Sequence, residues 1–168
     1  MIILGLGTNI GERLAYLESA IHHLSAVLNI TAISPIYESP ALLKSDSPKE
    51  WDISFLNMAI MGETNLSPQE LLAQIKDIEK KVGRQDRGIW APREIDIDIL
   101  AYDSLIVDES DLKIPHQYLC ERAFALLPFA DIAPDWCYPG MGETAREIAE
   151  GLPTNHYTSK TLYEVFAG

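Results

Sequence analysis

The chain has 168 residues, of which 47% are apolar and 23% charged, which fits one folded domain and excludes a largely disordered polypeptide. No apolar run approaches the roughly 20 residues that span a bilayer, and MIILGLGTN lacks the basic start and cleavage site of a secretory signal, so a cytoplasmic protein with no membrane partner is expected. A net charge of −12 argues against a nucleic-acid partner, and two cysteines, Cys120 and Cys137, are too few for a disulfide scaffold.

Ile2 to Leu6 is a short apolar run that predicts a buried strand, ended by Gly5, Gly7, Thr8 and Asn9. Leu14, Leu17, Ile21, Leu24 and Leu28 recur in steps of three and four, which predicts a helix from about 11 to 28 with one buried face. Ile30 to Tyr37 reads as a second strand. Residues 38–50 form a long loop bearing Pro and Ser, and Trp51 to Thr64 reads as a third strand. Ser67-Pro68-Gln69-Glu70 has the form of a helix start, with Ser at the cap, Pro in the first turn and Glu three residues on. Leu71, Leu72, Ile75, Ile78 and Val82 line that helix, and Gly83 closes it. A second loop, 84–93, leads into a fourth strand, EIDIDILAY, and Leu105 to Val107 is expected to pair with what precedes it. Helices are expected from Arg122 to Ile132 and from Glu143 to Glu150, in an otherwise weakly patterned tail. The order β-α-β-β-α-β predicts an α+β, ferredoxin-like antiparallel sheet with two helices on one face and C-terminal additions, spanning 1–168 as one domain.

The chemistry concentrates in Arg93-Glu94-Ile95-Asp96-Ile97-Asp98-Ile99-Leu100. Side chains alternate along a strand, so the isoleucines enter the core and Asp96 and Asp98 share the opposite face, about 7 Å apart. Two carboxylates so close repel unless a cation lies between them, and Mg²⁺ is commonly held by one or two carboxylates plus substrate phosphates. A bare D-x-D is more often the exposed face of a half-buried strand. Six of the 13 basic residues, Lys76, Lys80, Lys81, Arg84, Arg87 and Arg93, lie within 18 positions just before and beside this pair. Charge alone would make them a solvated helix face and loop. Together with paired carboxylates they are what a triphosphate requires. No P-loop, dinucleotide fingerprint, serine-hydrolase pattern or H-E-x-x-H motif occurs.

Taken together, G-L-G-T-N-I-G at 5–11, Y-E-S-P-A at 37–41, F-L-N at 55–57, I-E-K-K-V-G-R at 78–84, W-A-P-R-E-I-D-I-D-I-L at 90–100, I-P-H at 114–116 and R-A-F at 122–124 form a specific set. From Leu4 to about Pro134 the chain resembles the 6-hydroxymethyl-7,8-dihydropterin pyrophosphokinase family of folate biosynthesis. That resemblance implies a magnesium-dependent, ATP-binding transferase that moves pyrophosphate from ATP to the pterin hydroxymethyl oxygen, releasing AMP. It implies two Mg²⁺ ions on Asp96 and Asp98, with Arg84 and Arg93 as catalytic arginines. Lys76, Glu79, Arg87, Trp90, the Ile99 backbone, His116 and Arg122 would face ATP. Ser39, Pro40, Leu42, Phe55, Asn57, Trp90 and Phe124 would enclose the pterin. Ile89, Ala91 and Gln117 depart from the family pattern around the tryptophan and the histidine. Loops 38–50 and 84–93 are candidate lids, and a monomer is expected. The competing readings are another two-metal phosphotransferase or nucleotidyltransferase, or a ferredoxin-like binding module.

Overall fold

The computed structural model describes residues 1–165; the last three positions of the expected 1–168 domain lie outside them. Its central sheet contains β1 (Ile2–Thr8), β2 (Asn29–Ile33), β3 (Tyr37–Ser39), β4 (Phe55–Glu63), β5 (Asp96–Tyr102) and β8 (Ser159–Lys160). The strand order is β5-β1-β4-β3-β8, with β2 also on β4 and all pairings antiparallel. β6 (Val107–Asp108) and β7 (Lys113–Ile114) form a separate small ribbon.

The alternation of β1, β4 and β5 divides the molecule into two apolar layers. Leu4, Leu6, Met58, Ile60, Ile97 and Ile99 pack under α1 (Arg13–Leu24) and α2 (Pro68–Val82). On the opposite face Ile3, Ala59, Leu100 and Ala101 pack under Leu126 and Phe129 of α3 (Ala123–Ile132), with α4 (Ala145–Glu150) against α3. The expected pair of helices therefore covers one face, and part of the other face is covered as well. The sequence of α3, AFALLPFADI, is apolar nearly all round, so it needs partners on more than one side.

Several boundaries differ from the sequence reading, each for a local reason. Ile30–Tyr37 is two strands, because Pro35 has no amide to donate to a ladder. Ser34 bridges the break: its amide donates to the Ala59 carbonyl, 2.9 Å, and its Oγ accepts the Ala59 amide, 2.8 Å. The third strand starts at Phe55 instead of Trp51, since Lys49–Trp51 form a 3-10 turn after Pro48. The first helix ends at Leu24, and a turn carries on to the buried Leu28. Val107 pairs forward, with Ile114, and not with what precedes it. α2 has its full capping box and a left-handed Gly83 at φ 113°. The tail supplies two elements: a capping box of Thr144 and Glu147 starts α4, and β8 covers the edge of β3. There Asp131 accepts hydrogen bonds from Tyr37 Oη, 2.6 Å, and Lys160 Nζ, 3.0 Å.

Ser34→Ala removes the acceptor of a buried amide, so a loss of about 1–3 kcal/mol is expected by urea denaturation. No loss would mean that another group or water satisfies Ala59.

Candidate active site

The uncovered part of the second sheet face is a cleft floored by β1 and β5. Gly7 and Gly5 of β1 pair with Asp96 and Asp98 of β5. Both glycines are there for space. A Cβ on Gly7 would lie 3.1 Å from Asn57 Oδ1 and 3.6 Å from the Phe55 ring, and one on Gly5 would lie 3.1 Å from Leu100. Ser39, Pro40, Leu42, Phe55, Asn57, Trp90 and Phe124 all line the cleft, as do Arg93, Asp96, Asp98 and Arg122. One wall is thus flat, aromatic and apolar, and the other is charged.

Asn57 is buried and paired with Tyr37 in the sheet. Its Nδ2 donates to Ser39 Oγ, 2.8 Å, which fixes the amide plane and leaves Oδ1 directed toward the Gly7 side. A buried amide held in this way offers a specific polar edge beside aromatic walls.

The charged wall is organised by carboxylates. Arg84 Nη1 lies 2.6 Å from both Glu79 Oε1 and Asp96 Oδ1, and Arg93 Nη1 lies 3.0 Å from Asp96 Oδ2. Burial disfavours the charge on Arg84, but Asp96 and Glu79 outweigh it and raise its pKa. Among the described residues Asp98 is reached by charge alone. Burial, then the charge of Asp96, pushes its carboxyl up to about 7, with Glu79 adding to the rise and Lys76 and Arg122 opposing it.

Glu79, 2% exposed, accepts from Arg84, from Lys76 Nζ at 3.1 Å and from the Ile97 amide at 2.8 Å. The last bond caps the outer edge of β5 between the two aspartates. Hydrogen-bonded residues alternate along an antiparallel ladder, so the Ile99 backbone shares that outer edge while its side chain is core. Beyond it, the His116 amide donates to the Leu100 carbonyl, 3.0 Å. Burial and the Arg122 charge lower the His116 pKa, and Nδ1 accepts the Tyr118 amide at 3.3 Å. A neutral imidazole with that acceptor carries its proton on Nε2, available for donation. Arg122 lies 4.3 Å above the Tyr118 ring and 5.9 Å from that of Phe124.

Of the seventeen expected site residues eleven line the cleft, and Lys76, Glu79, Arg84, Arg87, Ile99 and His116 do not; Arg87 pairs with Glu94, not with the aspartates. Asn9, Glu94 and Tyr118 shape the site and were not singled out from sequence. Asn9, 1% exposed, donates its amide to the Arg93 carbonyl, 3.1 Å, accepts the Arg93 amide on Oδ1, 2.9 Å, and donates Nδ2 to the Ile53 carbonyl, 3.1 Å. The alternation 94, 96, 98 was the available signal for Glu94; the stacking role of Tyr118 had none.

The model of the family described as 7,8-dihydro-6-hydroxymethylpterin-pyrophosphokinase (HPPK) matches residues 3–134. The chain is 42% identical over 151 residues to a 2-amino-4-hydroxy-6-hydroxymethyldihydropteridine pyrophosphokinase of Aquifex aeolicus, covering 88% of this chain and 89% of that one. The same identity and length hold for the protein of that name from Methylorubrum extorquens, with 89% and 91% covered. A folate synthesis bifunctional protein of Chlamydia caviae is 41% identical over 159 residues, which are 90% of this chain but 36% of the longer relative. Among solved structures, a Plasmodium falciparum HPPK-DHPS with pteroate matches with a TM-score of 0.71 at 19% identity, over 95% of this chain and 46% of that one, a likeness of fold. The sheet, the helices on it and the family match across residues 3–134 agree, and the chain belongs to the HPPK family.

Proposed function

We propose that this protein transfers the pyrophosphoryl group of ATP to the hydroxymethyl oxygen of 6-hydroxymethyl-7,8-dihydropterin, as a monomeric cytoplasmic enzyme of folate synthesis. The observation that carries this reading is the single cleft in which a fixed amide edge and aromatic walls adjoin paired carboxylates and arginines.

The pterin is assigned to the pocket of Ser39, Pro40, Leu42, Phe55, Asn57, Trp90 and Phe124. A flat ring with donor and acceptor edges gains stacking on Phe124 and Trp90 and hydrogen bonds from Asn57. ATP is assigned to the charged wall, with Lys76, Glu79, the Ile99 backbone, His116 and Arg122 toward the nucleotide and its phosphates. Arg87 is the exception, since Glu94 holds both of its terminal nitrogens.

The donor set fits Mg²⁺. Among the described residues no group of three or more His, Cys, Asp or Glu is arranged to hold a metal, and Mg²⁺ typically needs only one or two carboxylates when phosphates complete its shell. A cation beside the two carboxylates would also relieve the repulsion between Asp96 and Asp98, which after burial is the second cause of the raised Asp98 carboxyl. Two Mg²⁺ ions on Asp96 and Asp98 would neutralise phosphate charge and favour loss of the hydroxyl proton.

This chain's residues then do the rest. Asn57 and the aromatic walls orient the hydroxymethyl oxygen toward the β-phosphorus. A new O–P bond forms there, the bond from the β-phosphorus to the oxygen bridging it to the α-phosphorus breaks, and AMP leaves carrying that oxygen. Arg84 and Arg93 offset the charge on the transferring group, and neutral His116 donates from Nε2.

Phosphorus NMR of the products checks the reaction. AMP and a pterin diphosphate are expected from the parent protein, with kcat reduced at least about 10²–10³-fold in Asp96→Ala and in Asp98→Ala, and no turnover after chelation of divalent ions. ADP and a pterin monophosphate, or full activity in both variants, would overturn the assignment. Gly7→Ala tests the pocket separately. The added methyl meets Asn57 Oδ1, so KM for the pterin is expected to rise about tenfold with KM for ATP unchanged; a rise in KM for ATP alone would contradict it.

A further inference from the structure

Loop 84–93 carries three arginines, and carboxylates of this chain hold all of them. Arg84 and Arg93 meet Asp96. Arg87 instead grips Glu94 with both terminal nitrogens, Nη2 to Oε1 at 2.5 Å and Nη1 to Oε2 at 2.9 Å. Glu94 also accepts the Gln85 amide at 3.2 Å, and Arg87 Nη2 donates to Gln85 Oε1 at 3.1 Å. The Glu94 side chain is 8% exposed, against 33% for Arg87.

A buried carboxylate needs a cation or several donors, because water does not solvate it. Moving Arg87 to a phosphate would leave Glu94 with backbone amides only, its own and that of Gln85. The two-pronged geometry also fixes the plane of the guanidinium, which a single contact would not. Residues 85–87 are therefore folded back on the segment that enters β5. The chain then turns toward the cleft through left-handed backbone at Gly88, φ 96°, and Trp90, φ 69°, with Ile89 82% exposed between them. Trp90 reaches the cleft lining and Arg87 does not.

We propose that Glu94 is a positioning residue: with Arg87 it forms a clasp that anchors the arginine loop to the strand carrying Asp96 and Asp98, and Arg87 serves this clasp instead of binding phosphate. The clasp lies between Arg84 and Trp90, so it sets where both arrive. Its kinetic consequence rests on the pyrophosphoryl-transfer reading; its structural consequence does not.

The test uses the full chain as Glu94→Gln, Arg87→Gln and the double variant. Each single change is expected to lower kcat/KM for ATP about tenfold. The double variant is expected to fall no more than about twofold below the worse single, because either change opens the same clasp. Arg87→Gln impaired beside a fully active Glu94→Gln would show direct contact of Arg87 with the nucleotide. Single effects that multiply in the double variant would show two independent roles, and parental activity in all three would show no role. Each of these overturns the proposal. Amide hydrogen exchange supplies a readout that needs no turnover. The Gln85 amide is expected to exchange about tenfold faster in each single variant than in the parent, and unchanged exchange would overturn the clasp. A parent that makes no AMP but shows this change would count against the proposed reaction alone. Arg87 is the more exposed partner, so Arg87→Gln keeps the exchange test available should Glu94→Gln fail to fold.

Discussion

Two like charges on one face of an edge strand are the constraint around which this molecule is arranged. Asp96 and Asp98 are two residues apart, and at about 7 Å their repulsion is of order 2 kcal/mol at the effective dielectric of a protein surface. Asp96 is offset by Arg84 and Arg93, both within hydrogen-bond distance. Asp98 is not, and its carboxyl is pushed up by burial and by its neighbour. The fold holds the pair against this repulsion because Ile97 and Ile99 are locked into the core on the other face. Glu79 adds the bond to the Ile97 amide that fixes the edge between the two aspartates.

The surrounding elements follow from serving that strand. Glycines at positions 5 and 7 open the floor next to it, and α3 covers only the far part of the same face. Asn9 pins the backbone of Arg93 and ties it to the segment before β4, so the charged and aromatic walls share one buried side chain. The acidic residues that flank the aspartates, Glu79 and Glu94, are not excess charge. They partner Lys76 of α2 and Arg84 and Arg87 of loop 84–93, so the acidic and basic residues of this wall are held in pairs.

The order of the main strands and helices along the chain was legible because their signals are local. A 3.6-residue apolar period, a capping box and a terminal glycine specify α2 without help from the rest of the chain. The aspartate pair was legible for the same reason, since a period of two places it opposite the isoleucines. What sequence could not convey was pairing at a distance. Across the break at Ser34–Pro35 both halves stay paired with β4, and Ser34 reaches Ala59 between them. β8 is a two-residue strand that exists through its contact with β3. Arg87 looks like a phosphate ligand by type and position, and only the fold reveals that Glu94 holds it. The resemblance gathered seventeen residues, and the structure brings the seven assigned to the pterin into one lining.

On the proposed reaction, the aspartate pair takes a divalent cation together with nucleotide phosphates. Electron paramagnetic resonance of Mn²⁺, titrated into the protein with a non-hydrolysable ATP analogue, tests it most directly. Bound Mn²⁺ is expected in the parent and its loss in both Asp96→Asn and Asp98→Asn, which keep the side-chain shape but remove the charge. Undiminished Mn²⁺ binding in both variants would contradict it, and would make the pair a feature of the strand and not of the chemistry.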